Sequence, residues 1–263
     1  MTRAIVCGAL GRMGKSILRL SLECSDFLVV AGVENPNCIR SPDLGEASAF
    51  QELKGVPLTS SLEEVLFLGD VVIEFSGNPT AAVSHAKLSA LLGKGIVIGT
   101  TGFNQQEVEE IRSYSEHAPI ILSPNMSLGV NLLFKLVEIA SRVLRGKGFD
   151  AEVLEIHHRF KRDAPSGTAL RLGEILSREL NIERKVFGRE GISERSEEIG
   201  LMALRGGDVV GEHTVYFLGF GERLELTHRA VSRDIFARGA IEASRWIKGK
   251  PPGFYSMFDV LGL

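Results

Sequence analysis

Cysteine is scarce in this chain. Its three cysteines, Cys7, Cys24 and Cys38, show no C-x-x-C spacing. An odd count without that spacing argues against a disulfide framework and against a cysteine zinc site. Positive charge is not in excess either, with a formal net charge of −3 and an isoelectric point near 6.1. A general nucleic-acid binder would carry a strongly basic footprint, so that class is set aside. No apolar run approaches the roughly 18 residues of a membrane helix. The N-terminus enters a strand at once, with no basic-then-apolar leader pattern. These absences point to the reducing cytoplasm. There is no internal repeat and no low-complexity segment. What is present is an ordinary globular balance over 263 residues, 44% hydrophobic and 24% charged. That is enough for one large domain or two moderate ones.

Up to about residue 125 the chain alternates apolar strands with helical patterns. Strands are expected at Arg3–Cys7, Phe27–Val33, Val71–Phe75, Ile96–Gly99 and Ile120–Leu122. Helices are expected at Met13–Leu22, around Leu62–Leu66, at Thr80–Leu92 and at Gln105–Ser115. Continuous apolar strands between helices are the mark of a parallel sheet covered on both faces. The pattern then changes. A long helix is expected over Leu128–Leu144, a half-exposed strand over Ala151–Ile156 and a helix over Gly167–Leu180. Glu183–Glu198 reads as an exposed loop. Strands follow at Ile199–Leu204, Val209–Leu218 and Leu224–Ala230, with a hairpin turn at Gly219–Glu222. This half is read as an α+β unit with an open mixed sheet, mostly antiparallel. A last helix, Ile235–Lys248, ends at Gly249 and Pro251-Pro252. The apolar tail from Met257 is expected to dock. The expected domains are residues 1–126 with 238–263, and residues 127–237.

Gly8-Ala9-Leu10-Gly11-Arg12-Met13-Gly14 follows the first strand and opens the first helix. Glycines at this spacing allow a tight turn and close backbone approach. The helix start then offers N–H groups and a positive dipole end to a pyrophosphate. The spacing is G-x-x-G-x-x-G, so a packing-driven strand–turn–helix is the competing reading. Glu34 ends the second strand, twenty residues after Gly14. An acidic side chain there suits the ribose hydroxyls of a dinucleotide. Gly99-Thr100-Thr101 and Ser123-Pro124-Asn125-Met126 end later strands in the same way and are candidates for the nicotinamide side. Ordinary loops are the alternative.

The densest chemistry lies in Glu155–Thr168, which holds His157, His158, Arg159, Lys161, Arg162 and a Ser166-Gly167-Thr168 turn. Ser166 or Thr168 can cap the following helix. Gly167 and Thr168 would present that helix start to a carboxylate. Lys161 supplies a mobile point charge for the same anion. His157 and His158 are candidates for proton transfer, since imidazole titrates near neutral pH. Strand alternation puts them on opposite faces, so one can serve without the other. Surface histidines are the plain alternative. A metal reading is weaker, because no acidic or cysteine partner stands at ligand spacing, and no metal is expected.

Taken together, G-x-x-G-R-M-G, G-T-T-G-F and E-x-H-H-x-x-K-x-D-A-P-S-G-T resemble the 4-hydroxy-tetrahydrodipicolinate reductase (dihydrodipicolinate reductase) family. Gly206–Thr214 and Gly221–Glu225 extend the resemblance, which runs from residue 3 to about 261. It implies a Rossmann-like dinucleotide-binding domain and an α+β domain for substrate binding and tetramerisation, brought together by hinge closure. It implies His157 as proton donor, Lys161 as the second catalytic residue, His158 in contact with substrate, and Gly167-Thr168 holding a substrate carboxylate. Gly8 to Met13, Glu34, Gly99 to Thr101 and Ser123 to Met126 fall on cofactor positions. The implied activity is NAD(P)H-dependent reduction of a small dicarboxylate heterocycle in lysine and diaminopimelate biosynthesis, in a cytoplasmic homotetramer without nucleic-acid or membrane partners. Many members carry an arginine after the acidic residue, where this chain has Asn35. Glu34 repels a 2′-phosphate, so a tilt toward NADH is expected unless Arg12 or Arg40 compensates. The competing readings are another two-domain NAD(P)-dependent dehydrogenase and a non-catalytic dinucleotide sensor.

Overall fold

The computed structural model describes all residues, 1–263. The chain divides into two compact units, Met1–Leu128 with Asp234–Leu263, and Gly129–Arg233.

In the first unit the strands are β1 (Thr2–Cys7), β2 (Phe27–Val33), β3 (Leu58–Thr59), β4 (Val71–Glu74), β5 (Gly95–Ile98) and β6 (Pro119–Leu122), with helices α1 (Arg12–Ser21), α2 (Leu44–Ser48), α3 (Pro79–Leu91) and α4 (Gln105–Tyr114) between them. The second unit contributes α5 (Leu128–Leu144, from its second residue onward), β7 (Asp150–His157), α6 (Gly167–Leu180), β8 (Lys185–Val186), β9 (Ile199–Arg205), β10 (Gly211–Gly219) and β11 (Glu222–Ala230). The chain then returns to the first unit with α7 (Asp234–Ile247), β12 (Gly253–Tyr255) and α8 (Met257–Leu261).

The first unit carries a seven-stranded sheet in the order β12-β6-β5-β4-β1-β2-β3. Every pairing in it is parallel. β1, β4 and β5 are buried on both faces apart from Arg3, which explains why they read as continuous apolar runs. One face packs Ile17 and Leu18 of α1 with Ala237, Ala240 and Ile241 of α7. The other packs Ala82, Val83 and Ala86 of α3 with Ile111 of α4. Strand order reverses beside β1, between β2 on one side and β4 on the other. In such sheets ligands bind at that switch point, beyond the strands' carboxyl ends.

The second unit holds a five-stranded mixed sheet, β11-β10-β7-β9-β8. β7 is antiparallel to β10 and parallel to β9. The sheet is therefore mixed, as expected, with β10 and β11 antiparallel and β8 and β9 parallel to their neighbours. β8 and β9 both pair in parallel because α6 and the long 187–198 segment carry the chain back across one face. β7 alternates strictly, burying Ala151, Val153, Glu155 and His157. α6 covers that face, and Gly173 lets Leu201 of β9 come close to its backbone.

Three local expectations change. Residues around Leu62–Leu66 form turns and one 3-10 turn at Leu66–Leu68, because so short a segment cannot offset helix nucleation. The 183–198 segment is exposed but tied down: Arg189 donates to Glu152 at 2.7 and 2.9 Å, and Arg195 to Asp150 at 2.6 Å. The C-terminal tail adds the edge strand β12 as well as α8. No helix is long and apolar enough to cross a membrane.

Candidate active site

The glycine loop sits at the switch point of the first unit. Gly8 has φ +76°, and a Cβ there would lie 2.5 Å from the Phe75 carbonyl oxygen. A Cβ on Gly14 would run into the Gly8 and Ala9 carbonyls. A side chain at either place is excluded, so the loop presents backbone. Gly11 is the N-cap of α1, and no side chain caps that helix. The contrast within the molecule is sharp: Asn78, Asn104 and Ser166 each cap α3, α4 and α6 with a side-chain oxygen. The start of α1 thus has no side chain competing for its first N–H groups, an arrangement that suits an anion such as a pyrophosphate.

A cleft opens beside it, lined by Gly8, Glu34, Asn35, Ser76, Asn78 and His85 among others. Glu34 is half-buried and accepts from the backbone N–H of Leu10 at 2.8 Å and of Asn35 at 2.9 Å. The acidic side chain thereby ties the glycine loop to the end of β2. Arg12 and Arg40 are exposed and do not line the cleft. Gly99 and Thr100 follow β5, where a Cβ on Gly99 would enter the Phe75 ring. Thr101 is exposed. Ser123 accepts from Asn125 N–H and donates to its carbonyl at 2.8 Å, while Pro124 is exposed. Met126 is buried, and Gly239 of α7 lets that helix pack against the Met126 carbonyl.

The organiser of this region is a residue that sequence reasoning passed over. Glu74, at the end of β4, is fully buried. It accepts from Ser76 N–H at 2.8 Å, from the Thr100 hydroxyl at 3.1 Å and from His85 Nδ1. The Thr100 hydroxyl in turn accepts from Gly77 N–H at 3.1 Å. Burial pushes the Glu74 carboxyl up, but His85 and Ser76 outweigh it and hold the group below the ordinary range.

The second unit builds its site from cross-strand register. Glu155 and His157 share one face of β7. His213 of β10 stands opposite Glu155, and Arg205 of β9 stands opposite His157. The Glu155 carboxylate is fully buried and receives two Arg205 N–H groups at 2.7 and 2.8 Å. It also accepts from Ser166 N–H at 3.0 Å and from His157 Nδ1. Burial would raise this carboxyl, yet Arg205, His157 and Ser166 hold it below its usual range. With Nδ1 engaged, His157 Nε2 is the nitrogen left to exchange a proton. A Cβ on Gly211 would lie 2.9 Å from that Nε2, so only glycine admits the ring. Burial lowers the His157 pKa; Glu155 opposes the shift, while the Lys161 and Arg205 cations add to it.

Ser166 caps α6 by accepting from Ala169 N–H at 3.3 Å, and its hydroxyl meets His213 Nε2 at 3.1 Å. Of the two expected caps it is therefore the serine that serves. The His213 and His157 rings meet edge to face at 5.1 Å. Burial, and then the charge of His157, push the His213 pKa down to about 3, and its Nδ1 is buried without a partner. Lys161 Nζ donates to both Asp163 oxygens at 2.8 Å. His158 is less buried than His157, with Nε2 3.4 Å from Arg233. Gly167 is exposed at the start of α6, and a side chain there would meet open space. Thr168 is half-buried in the first turn. The structure thus gathers His157, Lys161, Gly167 and Thr168 around one strand end and helix start. Sequence reading missed Glu155, although the same alternation that separates His157 from His158 pairs it with His157. Arg205 carried no local signal, and His213 entered only as part of the Gly206–Thr214 resemblance.

A doubly wound unit with an uncapped glycine cradle, joined to an α+β unit with a buried titratable histidine, defines a dinucleotide-dependent oxidoreductase. The comparisons with known proteins narrow that class. Residues 2–126 match the family described as "Dihydrodipicolinate reductase, N-terminus", and residues 129–261 match "Dihydrodipicolinate reductase, C-terminus". The chain belongs to the dihydrodipicolinate reductase family. It is 69% identical to the 4-hydroxy-tetrahydrodipicolinate reductase of Aquifex aeolicus (strain VF5), over 99% of each chain. It is 48% identical to the protein of that name from Anaeromyxobacter dehalogenans (strain 2CP-1 / ATCC BAA-258), over 100% of this chain and 98% of that one. Among solved structures, a dipicolinate-bound dihydrodipicolinate reductase from Paenisporosarcina sp. TG-14 shares the fold with a TM-score of 0.81, at 22% identity over 98% of each chain.

Proposed function

We propose that the protein reduces 4-hydroxy-tetrahydrodipicolinate to tetrahydrodipicolinate with NAD(P)H and a proton, the 4-hydroxyl leaving as water, in lysine and diaminopimelate biosynthesis. The observation that carries the proposal is the His157 assembly: a tautomer-locked imidazole beside a lysine and a capped helix start. Gly8, Ala9, Leu10, Gly11, Arg12 and Met13 would hold the pyrophosphate, and Glu34 the adenosine ribose. Gly99, Thr100, Thr101 and Ser123 to Met126 would line the nicotinamide side. The cradle at Gly8 and Gly14, which any Cβ would fill, fits such a cofactor. When bound, the cofactor supplies the hydride.

The chain's own residues do the rest. Lys161, Gly167 N–H and Thr168 bind a substrate carboxylate, and His158 contacts the substrate. His157 delivers the proton through Nε2. Its lowered pKa leaves it mostly neutral before substrate arrives. A dianionic substrate then favours the imidazolium, so proton uptake is coupled to binding. Glu155 fixes the ring and balances the charge that forms there.

Glu34 followed by Asn35 supports a preference for NADH, since a carboxylate repels a 2′-phosphate. A homotetramer assembled through the β10–β11 face is supported by the family resemblance and by the exposure of much of β11, including Leu224 at 40%. Three free cysteines suit a cytoplasmic setting. The test is oxidation of NADH and NADPH, followed at the nicotinamide absorbance. Substrate is generated in place from pyruvate and aspartate semialdehyde by the preceding synthase. Oxidation that requires the synthase is expected; cofactor binding without oxidation would remove the proposed substrate.

A further inference from the structure

We infer that His213 is a positioning residue for substrate binding: through the Ser166 hydroxyl it fixes the start of α6 beside His157. The inference rests on the proposed carboxylate-binding role of Gly167 and Thr168. His213 lies on β10, opposite Glu155 of β7 and His228 of β11. It is 4% exposed. Its Nε2 meets the Ser166 hydroxyl at 3.1 Å, and its ring packs edge to face on His157. One side chain thus touches both the proposed proton donor and the residue that caps α6.

This cap differs from others in the molecule. Asn78 and Asn104, which cap α3 and α4, bond only to residues near them in the chain. Ser166 is gripped from afar. Glu155 takes its N–H at 3.0 Å, and His213, 47 positions on, meets its hydroxyl. That hydroxyl also accepts from Ala169 N–H at 3.3 Å. A serine side chain turns about one bond, and turning it would release the cap. Gly167 and Thr168, which lie between Ser166 and Ala169, would shift with it. The His213 contact removes that freedom. Burial, and then the charge of His157, push the His213 pKa down to about 3. The ring is therefore neutral near pH 7 and holds Ser166 by hydrogen bonding, not by charge. Stability does not account for the residue. Its Nδ1 is buried without a partner. An unpaired buried polar atom costs free energy that a leucine in the same space would not. What the cost secures is the hold of Nε2 on the cap.

The experiment uses the full chain and substrate generated by the preceding synthase. It measures KM, kcat, the NADH dissociation constant and the midpoint of chemical denaturation. His213→Leu is expected to raise the substrate KM about tenfold, as one hydrogen bond is lost. Its kcat and NADH affinity should change little, the pattern of lost uniform binding. Its denaturation midpoint is not expected to fall. His213→Gln carries an amide to the place of Nε2, where its nitrogen or its oxygen can meet the hydroxyl. It is expected to restore most of the substrate affinity. His213→Asn puts the same amide at the place of Nδ1 and is expected to keep the raised KM. Should His213→Leu fail to fold, the glutamine and asparagine variants carry the comparison alone. In a Ser166→Ala background, His213→Leu is expected to leave KM where it was, since the contact is already gone. An unchanged KM in His213→Leu, equal KM in the glutamine and asparagine variants, or a further rise in the Ser166→Ala background would overturn the role of His213. A wild-type protein that binds NADH and does not turn over this substrate would overturn the proposed reaction, and this role with it.

Discussion

The two units build their candidate sites on opposite principles. The cofactor loop works by leaving things out. Gly8 and Gly14 lack a Cβ, and α1 lacks a side-chain cap, so backbone N–H groups face the ligand. The His157 region works by putting things in. It holds a buried carboxylate, a guanidinium, two imidazoles and a hydroxyl in one hydrogen-bonded cluster. The first design is local and tolerant of its surroundings. The second depends on the register of three strands, and every member left unpaired is expensive in a low dielectric. The difference predicts that changes in the second unit are felt both in stability and in pH response, whereas changes at the cofactor cleft are felt in affinity.

The largest effect expected is on Arg205. Arg205→Met leaves the Glu155 carboxylate buried without its bidentate partner, and should cost about 3 kcal/mol or more of unfolding free energy. Chemical denaturation measures it; a loss below 1 kcal/mol would mean that His157 and Ser166 suffice. Next comes His157→Gln, which removes the proposed proton donor. Turnover should fall on the order of a hundredfold while NADH affinity is kept. Unchanged turnover would leave water or another group as the donor.

The pH dependence of stability is third. His213 is neutral in the fold with a pKa of about 3, and the unfolded chain takes up a proton near 6.5. Between these values the unfolded state binds more protons, so stability falls as pH falls. From pH 6.5 to 5 this one group should account for about 2 kcal/mol. His213→Asn should flatten the slope in that window, and an unaltered slope would place the sensitivity at His157 or at His228 of β11, whose pKa burial also lowers. The smallest effect belongs to the cofactor side. Glu34→Ala removes the acceptor that ties Leu10 to the end of β2, along with the proposed ribose partner. It should weaken NADH roughly fivefold, about 1 kcal/mol, and NADPH less. Equal losses for both cofactors would leave Glu34 a structural tie alone.

Where sequence sufficed and where it failed follows the same divide. Gly8, Gly11 and Gly14 are legible because their spacing encodes a backbone shape within seven residues. β1, β4 and β5 are legible because a strand buried on both faces must be apolar almost throughout. The 62–66 segment was misread because a few apolar residues in a row match a helix and a turn equally well. Glu155 was within reach, since period-two alternation already separates His157 from His158. Glu74 was hidden at the end of an apolar strand, where a buried carboxylate makes sense only once Ser76, Thr100 and His85 are seen around it.

By itself, the sequence determined the parallel dinucleotide unit, the helix start at Gly167 and the histidine–lysine segment that marks the family. Those features are local, and their physics acts between residues near in the chain. Only the tertiary structure decided that His157 is the locked and buried histidine, that Ser166 reaches both Glu155 and His213, and that Arg205 neutralises a carboxylate fifty positions away. Charge pairing and desolvation depend on distance in space. Strand register, which no short pattern states, sets that distance.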